Sequence, residues 1–296
     1  MQTIRTDLAL EADELARGRG GALDGVESEK QSWDGVEVTT VTVGTERAAR
    51  ELGKPVGRYL TLSVQALRRR EEDAFARTVR ALARALTQLL PEGAERPVLV
   101  AGLGNRAITP DAIGPKAVEH VLVTRHLVDS TPEYFGSLRR VSALAPGVLG
   151  MTGVETGEIL RGVLDRTRPG AVIVVDALAA RRLSRLLCTI QVSDTGIVPG
   201  SGVGNARAAL SQEQLGVPVL AIGVPTVVDG ATLAADLTEQ LPQAQSEALD
   251  DLRRPVLVTT QDIDAQVSDM ARVIGYGVNL ALHPSLTLED IDLFLS

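Results

Sequence analysis

Two aspartates in this chain lie close behind uninterrupted apolar runs. Asp176 directly follows the run 171–175, and a short Gly-rich turn separates Asp111 from the run 97–103. Runs of this length without polar alternation are typical of strands that are buried on both faces of a parallel sheet. Sites in such sheets lie beyond the carboxyl ends of the strands, so neighbouring strands would bring both carboxyl groups into one cleft.

Paired carboxyl groups suit the hydrolysis of a peptide bond. Because like charges repel at close range, one pKa rises and the other carboxyl group stays ionised, and the two titrate as a coupled pair. The ionised group can activate water while the protonated group serves the carbonyl or the leaving amine. Each acid also has a purely structural explanation. Asp111 in the first turn of a helix would stabilise that helix by about 0.3–1 kcal/mol through its dipole. Asp176 would cap the N-terminus of the next helix.

Two glycine-rich loops are expected to line the same cleft. One precedes Asp111, and the other spans residues 193–205, which are too rich in glycine for regular structure. Such loops allow close backbone approach and present N–H groups to a ligand, although the second could also be a mobile surface loop. The residues expected to bind substrate in these loops are Gly102, Gly104, Asn105, Ser201, Gly202 and Asn205.

Other chemistries have little support in the sequence. A nucleophilic serine needs a histidine base, and two of the three histidines, His120 and His126, fall on one predicted helix. No His-Glu-x-x-His or paired-cysteine spacing occurs, so we predict neither a metal nor another cofactor. The Gly-x-Gly at 102–104 lacks the third glycine of a dinucleotide fingerprint and the Gly-Lys-Ser/Thr of a P-loop.

Composition bounds the location and partners. The net charge of -8 and the 2% aromatic content disfavour direct nucleic-acid binding. The single cysteine, Cys188, cannot form an internal disulfide, which fits a reducing compartment. The start of the chain has no signal-peptide pattern, and no apolar stretch approaches the ~20 residues of a membrane span. We therefore expect a soluble cytoplasmic protein without a membrane partner.

Hydrophobic periodicity predicts a single-domain α/β sandwich around a largely parallel sheet. Residues 14–34 are predicted to be an irregular, exposed lead-in, and 241–254 a polar connector. Strands are predicted at 36–43, 59–66, 97–103, 140–145, 171–176, 187–192 and 217–223, and helices at 71–90, 111–127, 155–166, 231–240 and 261–281.

Several of these segments, in order and nearly from end to end, resemble the spore germination protease family. They include Arg5-Thr6-Asp7-Leu8-Ala9 and the turn Thr109-Pro110-Asp111-Ala112. The others are 57–62, 102–105, 123–127, 145–148, 175–181, 193–205 and 222–229.

The resemblance implies an α/β fold shared with hydrogenase-maturation endopeptidases, a homotetramer, and a zymogen that shortens its own N-terminus. The family's two essential aspartates map onto Asp111 and Asp176. Its substrates are α/β-type small acid-soluble spore proteins, cut in a Thr-Glu-Phe/Ile-Ala-x-Glu motif after the first glutamate. This implies action in the spore core. The glutamates would need cations, for which Arg125 and Arg181 are the candidates, unless both form structural salt bridges.

Residues 6–11 read Thr-acid-apolar-Ala-x-Glu, which is the substrate motif with Asp7 for Glu and Leu8 for Phe/Ile. We therefore expect residues 1–15 to be a pro-segment cut between Asp7 and Leu8, and 16–296 to be a single protease domain. Alternatively, residues 6–11 simply begin the first folded element. Two departures from the family are a short leader, residues 1–4, and a short segment, 242–258, where the family has a longer insertion.

Two other functions remain open on sequence grounds. One is a metal-dependent maturation endopeptidase of the same fold, although the loop at 197–199 offers no histidine ligand. The other is a non-catalytic module that binds a phosphate or nucleotide with the two glycine loops.

Overall fold

The computed structural model describes residues 5–91, 96–204, 206–238 and 256–296. In these residues nine strands form one sheet in the order β1-β2-β3-β7-β8-β6-β4-β5, and β9 pairs with β8. The strands are β1 (Val26–Trp33), β2 (Val36–Val43), β3 (Gly57–Ser63), β4 (Val98–Gly102), β5 (Val141–Leu144), β6 (Ala171–Ala180), β7 (Thr189–Ser193), β8 (Val219–Asp229) and β9 (Leu257–Val258).

Helices cover the sheet, and none in the described residues is long and apolar enough to cross a membrane. The helices are α1 (Ala9–Gly20), α2 (Glu46–Leu52), α3 (Gln65–Arg68), α4 (Ala74–Leu89), α5 (Ile113–Val118), α6 (Arg125–Ser130), α7 (Pro132–Phe135), α8 (Leu149–Thr152), α9 (Thr156–Thr167), α10 (Gln212–Leu215), α11 (Gly230–Thr238), α12 (Ile263–Leu282) and α13 (Leu288–Leu295). Short 3-10 turns occur at Thr109–Asp111, Leu183–Arg185 and Ser201–Val203.

The parallel half of the sheet consists of β5, β4, β6 and β8. Alternate residues of β6 face two apolar layers: Ile173 packs in a core with α4, α5 and α12, whereas Val172 packs in a core with α9. Because both faces are covered, these strands lack polar alternation, as the sequence indicated. The predicted single-domain α/β fold around a largely parallel sheet is confirmed, and antiparallel strands β7, β3, β2 and β1 extend it.

Three local predictions need correction or fall outside the structure. Residues 14–34 are not irregular, because they contain most of α1 and all of β1. Strand β1 was missed because only its first and last residues are buried, and its pairing with β2 supplies the order that its own pattern lacks. The helix predicted at 111–127 is a 3-10 turn followed by two short helices, α5 and α6. The predicted connector 241–254 lies outside the described residues.

Strand β6 is longer than its apolar run suggested. Its last partner on β4 is Val175, opposite Gly102, yet it continues along β8 as far as Ala180. Asp176 is therefore inside β6 rather than after it. The strand that ends at the predicted site is β4. Beyond its last residue, one edge of β6 borders an open cleft.

The N-terminal segment joins the fold directly. Helix α1 begins at Ala9, and Leu8 is completely buried. The expected boundary between residues 15 and 16 falls inside α1, so it does not separate two folded units.

The close contact between β4 and α5 gives a first prediction. A Cβ atom on Gly114 would lie 2.3 Å from the Leu103 carbonyl oxygen and 2.5 Å from that of Val175. These are backbone atoms that cannot yield without moving the sheet. We expect Gly114→Ala to lower the free energy of unfolding by about 1–3 kcal/mol in a denaturant titration.

Gly162 provides the matched control, because it lies in helix α9 and nothing lies within 4 Å of the position that a Cβ atom would take there. Gly162→Ala should be neutral or stabilising by about 0.5–1 kcal/mol, since alanine favours a helix. Equal losses in the two variants would contradict the packing argument.

Candidate active site

A cleft of about 460 Å³ opens where β4 ends and β6 continues. Both predicted catalytic aspartates line it, and Asp7 from the N-terminal segment lines it too. Its other polar and charged lining includes Asn105, Glu155, Thr156, Arg207 and Thr226.

Asp111 is placed by the turn that follows β4. Its Oδ2 accepts a hydrogen bond of 2.7 Å from the backbone N–H of Asn105. Gly104 has a φ of +108°, and a Cβ there would lie 2.1 Å from the carbonyl oxygen of Asp111, so only glycine fits this approach. Burial raises the pKa of Asp111, and the Asn105 hydrogen bond opposes that rise.

Asp176 is the more deeply buried carboxyl group, with 5% of its surface exposed. Burial, followed by the negative charge of Asp111, raises its pKa well above the ordinary value; Asp7 adds a smaller effect in the same direction. The Ala177 N–H donates to Asp176 Oδ1 at 2.9 Å and opposes the shift. Of the two carboxyl groups Asp176 has the more strongly raised pKa, so Asp111 is the one that ionises first.

The Asp7 carboxylate is held inside the cleft by hydrogen bonds to both oxygens. The Ala179 N–H donates to Oδ2 at 2.8 Å, and the Ser201 hydroxyl donates to Oδ1 at 2.7 Å. The Asp7 N–H donates to the Ala179 carbonyl at 2.9 Å, which attaches the segment to the free edge of β6. Lys54 Nζ donates to the Asp7 carbonyl oxygen at 2.9 Å.

The rest of the N-terminal motif is also bound. Leu8 packs with an apolar cluster from β6, β8 and the turn between β6 and β7. Glu11 is 1% exposed and accepts hydrogen bonds from the backbone N–H groups of Arg181, at 2.7 Å, and Arg182, at 3.0 Å. The Thr6 hydroxyl also donates to Glu11.

The residues predicted to bind substrate in the glycine-rich loops differ in their position relative to the cleft. Gly104, Asn105 and Gly202 line the cleft, and Ser201 contacts its occupant Asp7. Gly102 does not line the cleft; a Cβ there would lie 2.1 Å from the Gly114 carbonyl oxygen, so this glycine serves helix packing. Asn205 lies outside the described residues.

The two predicted arginines are occupied elsewhere. Arg181 pairs with Asp236 at 2.6 Å, and Arg125 Nε lies 3.9 Å from Asp129. Neither lines the cleft, so their guanidinium groups fit the structural alternative, whereas the backbone N–H of Arg181 does contact Glu11. Arg207 is the arginine found among the described residues that line the cleft, and its Nη1 lies 3.8 Å from Glu155 Oε1.

Sequence reasoning missed Lys54 and Arg207. Lys54 stands between Gly53 and Pro55 in no recognisable motif, so only the fold brings it to the N-terminal segment. Burial lowers the pKa of Lys54, and the carboxylates of Asp7 and Glu11 oppose that effect. Within the described ranges, no group of three or more His, Cys, Asp or Glu side chains is arranged to hold a metal ion.

The fold and the cleft define an α/β protein with paired carboxyl groups where β4 ends beside β6, in the parallel half of its sheet. Comparison with known proteins is more specific. The germination protease family matches residues 5–244. The chain is 44% identical to a germination protease of Caldanaerobacter subterraneus subsp. tengcongensis, over 99% of this chain and 98% of that protein. It is 40% identical to one from Clostridium perfringens, over 100% of both chains.

The chain therefore belongs to the germination protease family and is a peptidase. Among solved structures, a (NiFe) hydrogenase maturation protease, HycI, from Thermococcus kodakarensis KOD1 is similar over 64% of this chain and 98% of that one, with 18% identity and a TM-score of 0.34.

The raised pKa of Asp176 predicts a pH-dependent effect on stability. A carboxyl group with a raised pKa in the folded chain stabilises it fully below the ordinary pKa of 3.8, and this contribution is lost as pH rises from there through the folded pKa. An asparagine side chain does not ionise, so the variant loses no stability in this way as the pH rises. We expect Asp176→Asn to melt higher than the wild type at about pH 8, with the advantage shrinking towards about pH 4 in thermal denaturation.

Asp269→Asn is the matched control, because Asp269 is exposed on α12. Its melting difference from the wild type should not follow this trend. A difference for Asp176→Asn that is the same at both pH values would show that Asp176 does not hold its proton on folding.

Proposed function

We propose that this protein is an aspartate-dependent endopeptidase that starts the degradation of α/β-type small acid-soluble spore proteins during germination. The observation that carries the proposal is the binding of the chain's own substrate-like motif, Thr6 to Glu11, beside Asp111 and Asp176. We further propose that the protein is a zymogen, that it assembles as a homotetramer and that it acts in the spore core. Membership of the germination protease family supports these points.

The two carboxyl groups have distinct roles in this mechanism. Asp111, ionised, removes a proton from a water molecule as that water attacks the carbonyl carbon of the scissile bond. Asp176, protonated, donates its proton to the carbonyl oxygen or the leaving nitrogen. If Asp176 protonates the carbonyl oxygen, Asp111 passes the proton that it took to the leaving nitrogen as the carbon–nitrogen bond breaks, and Asp176 recovers its own proton as the carbonyl re-forms. If Asp176 protonates the nitrogen, the proton on Asp111 passes to Asp176, so both routes restore the starting pair.

The contacts of the N-terminal motif match the chemistry of the substrate motif. The acidic residue before the cut corresponds to Asp7, and the apolar residue after it corresponds to Leu8, which lies in the apolar cluster. The final glutamate of the motif corresponds to Glu11, bound by two backbone N–H groups. Backbone donors can bind a carboxylate without a guanidinium group, which accounts for arginines 125 and 181 lying outside the cleft.

The same contacts support a slow self-cleavage between Asp7 and Leu8. Aspartate is one methylene shorter than the glutamate of the substrate motif. When its carboxylate is bound, the backbone therefore lies in a different position from that of a bound glutamate. Helix α1 also begins at Ala9, one residue beyond Leu8, and its first turn must unwind before the segment can lie fully extended. Both features delay cleavage without preventing binding.

Removing either catalytic carboxyl group tests the mechanism. We expect Asp111→Asn and Asp176→Asn to fold and to cut a small acid-soluble spore protein at least ~100-fold more slowly than the wild type, the lower range for the loss of one acid–base group. Mass spectrometry of the products measures both the rate and the position of the cut. Near-normal cleavage by either variant would remove that residue from the mechanism, and Asp269→Asn should cut at the wild-type rate.

Self-processing gives a separate prediction. On incubation, the purified chain should slowly gain a new N-terminus at Leu8, detectable by intact-mass measurement. The Asp111→Asn/Asp176→Asn double variant should keep its full mass under the same conditions. A product starting at any other residue, or the same product from the double variant, would show that this bond is not the self-processing site.

A further inference from the structure

The Asp7 side chain is bound as a ligand would be. Each of its carboxylate oxygens accepts one hydrogen bond from a neutral donor, the Ala179 N–H or the Ser201 hydroxyl. Ala179 belongs to β6 and lines the cleft, and Ser201 belongs to the 3-10 turn Ser201–Val203, so neither donor is part of the N-terminal segment. The same pocket would therefore persist if the segment moved away.

The shape of the pocket depends on Gly202. A Cβ atom at this position would lie 2.1 Å from Asp7 Oδ2 and 2.6 Å from the Cβ of Ala179. Gly202 is buried and has no positive φ, so backbone conformation does not require glycine there. The missing side chain provides the space that the carboxylate fills.

The pocket adjoins the catalytic pair. The Asp7 charge contributes to the raised pKa of Asp176, so the two carboxyl groups interact electrostatically across the cleft. An acidic side chain bound here would help Asp176 to keep its proton, which is the form that a general acid requires.

We infer that this pocket is the subsite that selects an acidic residue immediately before the scissile bond, and that the Ser201 hydroxyl and the Ala179 N–H recognise its carboxylate. This inference rests on the proposed function, and Asp7 is the occupant in the present structure. Recognition is by neutral donors in a partly desolvated pocket rather than by a salt bridge. A hydrogen bond to a charged group is about twice as strong as one between neutral groups, so a carboxylate is preferred to an amide.

The kinetic test compares two peptides with the Thr-Glu-Phe-Ala-x-Glu motif, one with glutamate and one with glutamine before the cut. The full chain carries Asp7→Gly, so that its own carboxylate does not compete for the pocket. Adding Ser201→Ala should lower kcat/KM for the glutamate peptide by about ten- to hundredfold, the range for one hydrogen bond to a charged group. The loss for the glutamine peptide should be clearly smaller, so that selectivity falls.

Ser130→Ala is the matched control, because Ser130 is exposed at the end of α6, and it should leave both peptides unaffected. Gly202→Ala should also weaken cleavage of the glutamate peptide, by raising KM, since it fills the pocket. Equal losses for the two peptides in the Ser201→Ala chain would overturn the inference.

A second measurement does not depend on cleavage. In a chain that carries Asp111→Asn to slow self-cleavage, Asp7→Asn and Ser201→Ala are combined in a double-mutant cycle followed by thermal melting. If Ser201 binds the Asp7 carboxylate, the double variant should lose less melting temperature than the sum of the two single losses. Additive losses would overturn the inference. Failure of the Asp7→Gly chain to cut either peptide would instead count against the proposed function, and the cycle would still decide whether the pocket binds a carboxylate.

Discussion

The difference in length between β4 and β6 creates the cleft that holds the candidate active site. Strand β4 stops at Gly102, whereas β6 continues to Ala180 with β8 still paired on its other side. The free edge of β6 carries unpaired backbone groups, which need hydrogen-bond partners. Asp7 supplies them at Ala179: its N–H donates to the Ala179 carbonyl, and its carboxylate accepts from the Ala179 N–H. One short strand thus creates both the cleft and the surface to which a peptide attaches.

The cleft concentrates negative charge that folding must tolerate. Asp7, Asp111 and Asp176 all line it. The structure accommodates them in different ways. Asp7 accepts two hydrogen bonds and Asp111 accepts one from a backbone N–H, whereas the pKa of Asp176 is raised, which favours its neutral form. This division follows depth, because desolvation penalises the charged form most where burial is greatest. The same gradient assigns the acid and base roles in the proposed mechanism.

Sequence patterns predicted the parts of the fold that burial dictates. Continuous apolar runs located β4, β6 and β8, and the strand-end rule led to Asp111 and Asp176. The polar strand β1 left no such pattern, because its order comes from pairing with β2. The roles of Arg125 and Arg181 could not be predicted from the sequence, because a charge near a motif gives no information about its ion-pair partner. Lys54 needed the tertiary structure, because it meets Asp7 across 47 residues of chain.

The Thr6 hydroxyl occupies an unusual position between two groups of the N-terminal segment. It accepts a hydrogen bond of 3.1 Å from the Leu8 N–H and donates one to the buried carboxylate of Glu11. Cleavage after Asp7 would release Thr6 and convert the Leu8 amide into an ammonium group close to Glu11. The ammonium group and the Glu11 carboxylate carry opposite charges and would attract each other in place of the hydroxyl bridge. The new chain end would therefore be held near Glu11 by charge, next to the buried Leu8 side chain, after Thr6 has left.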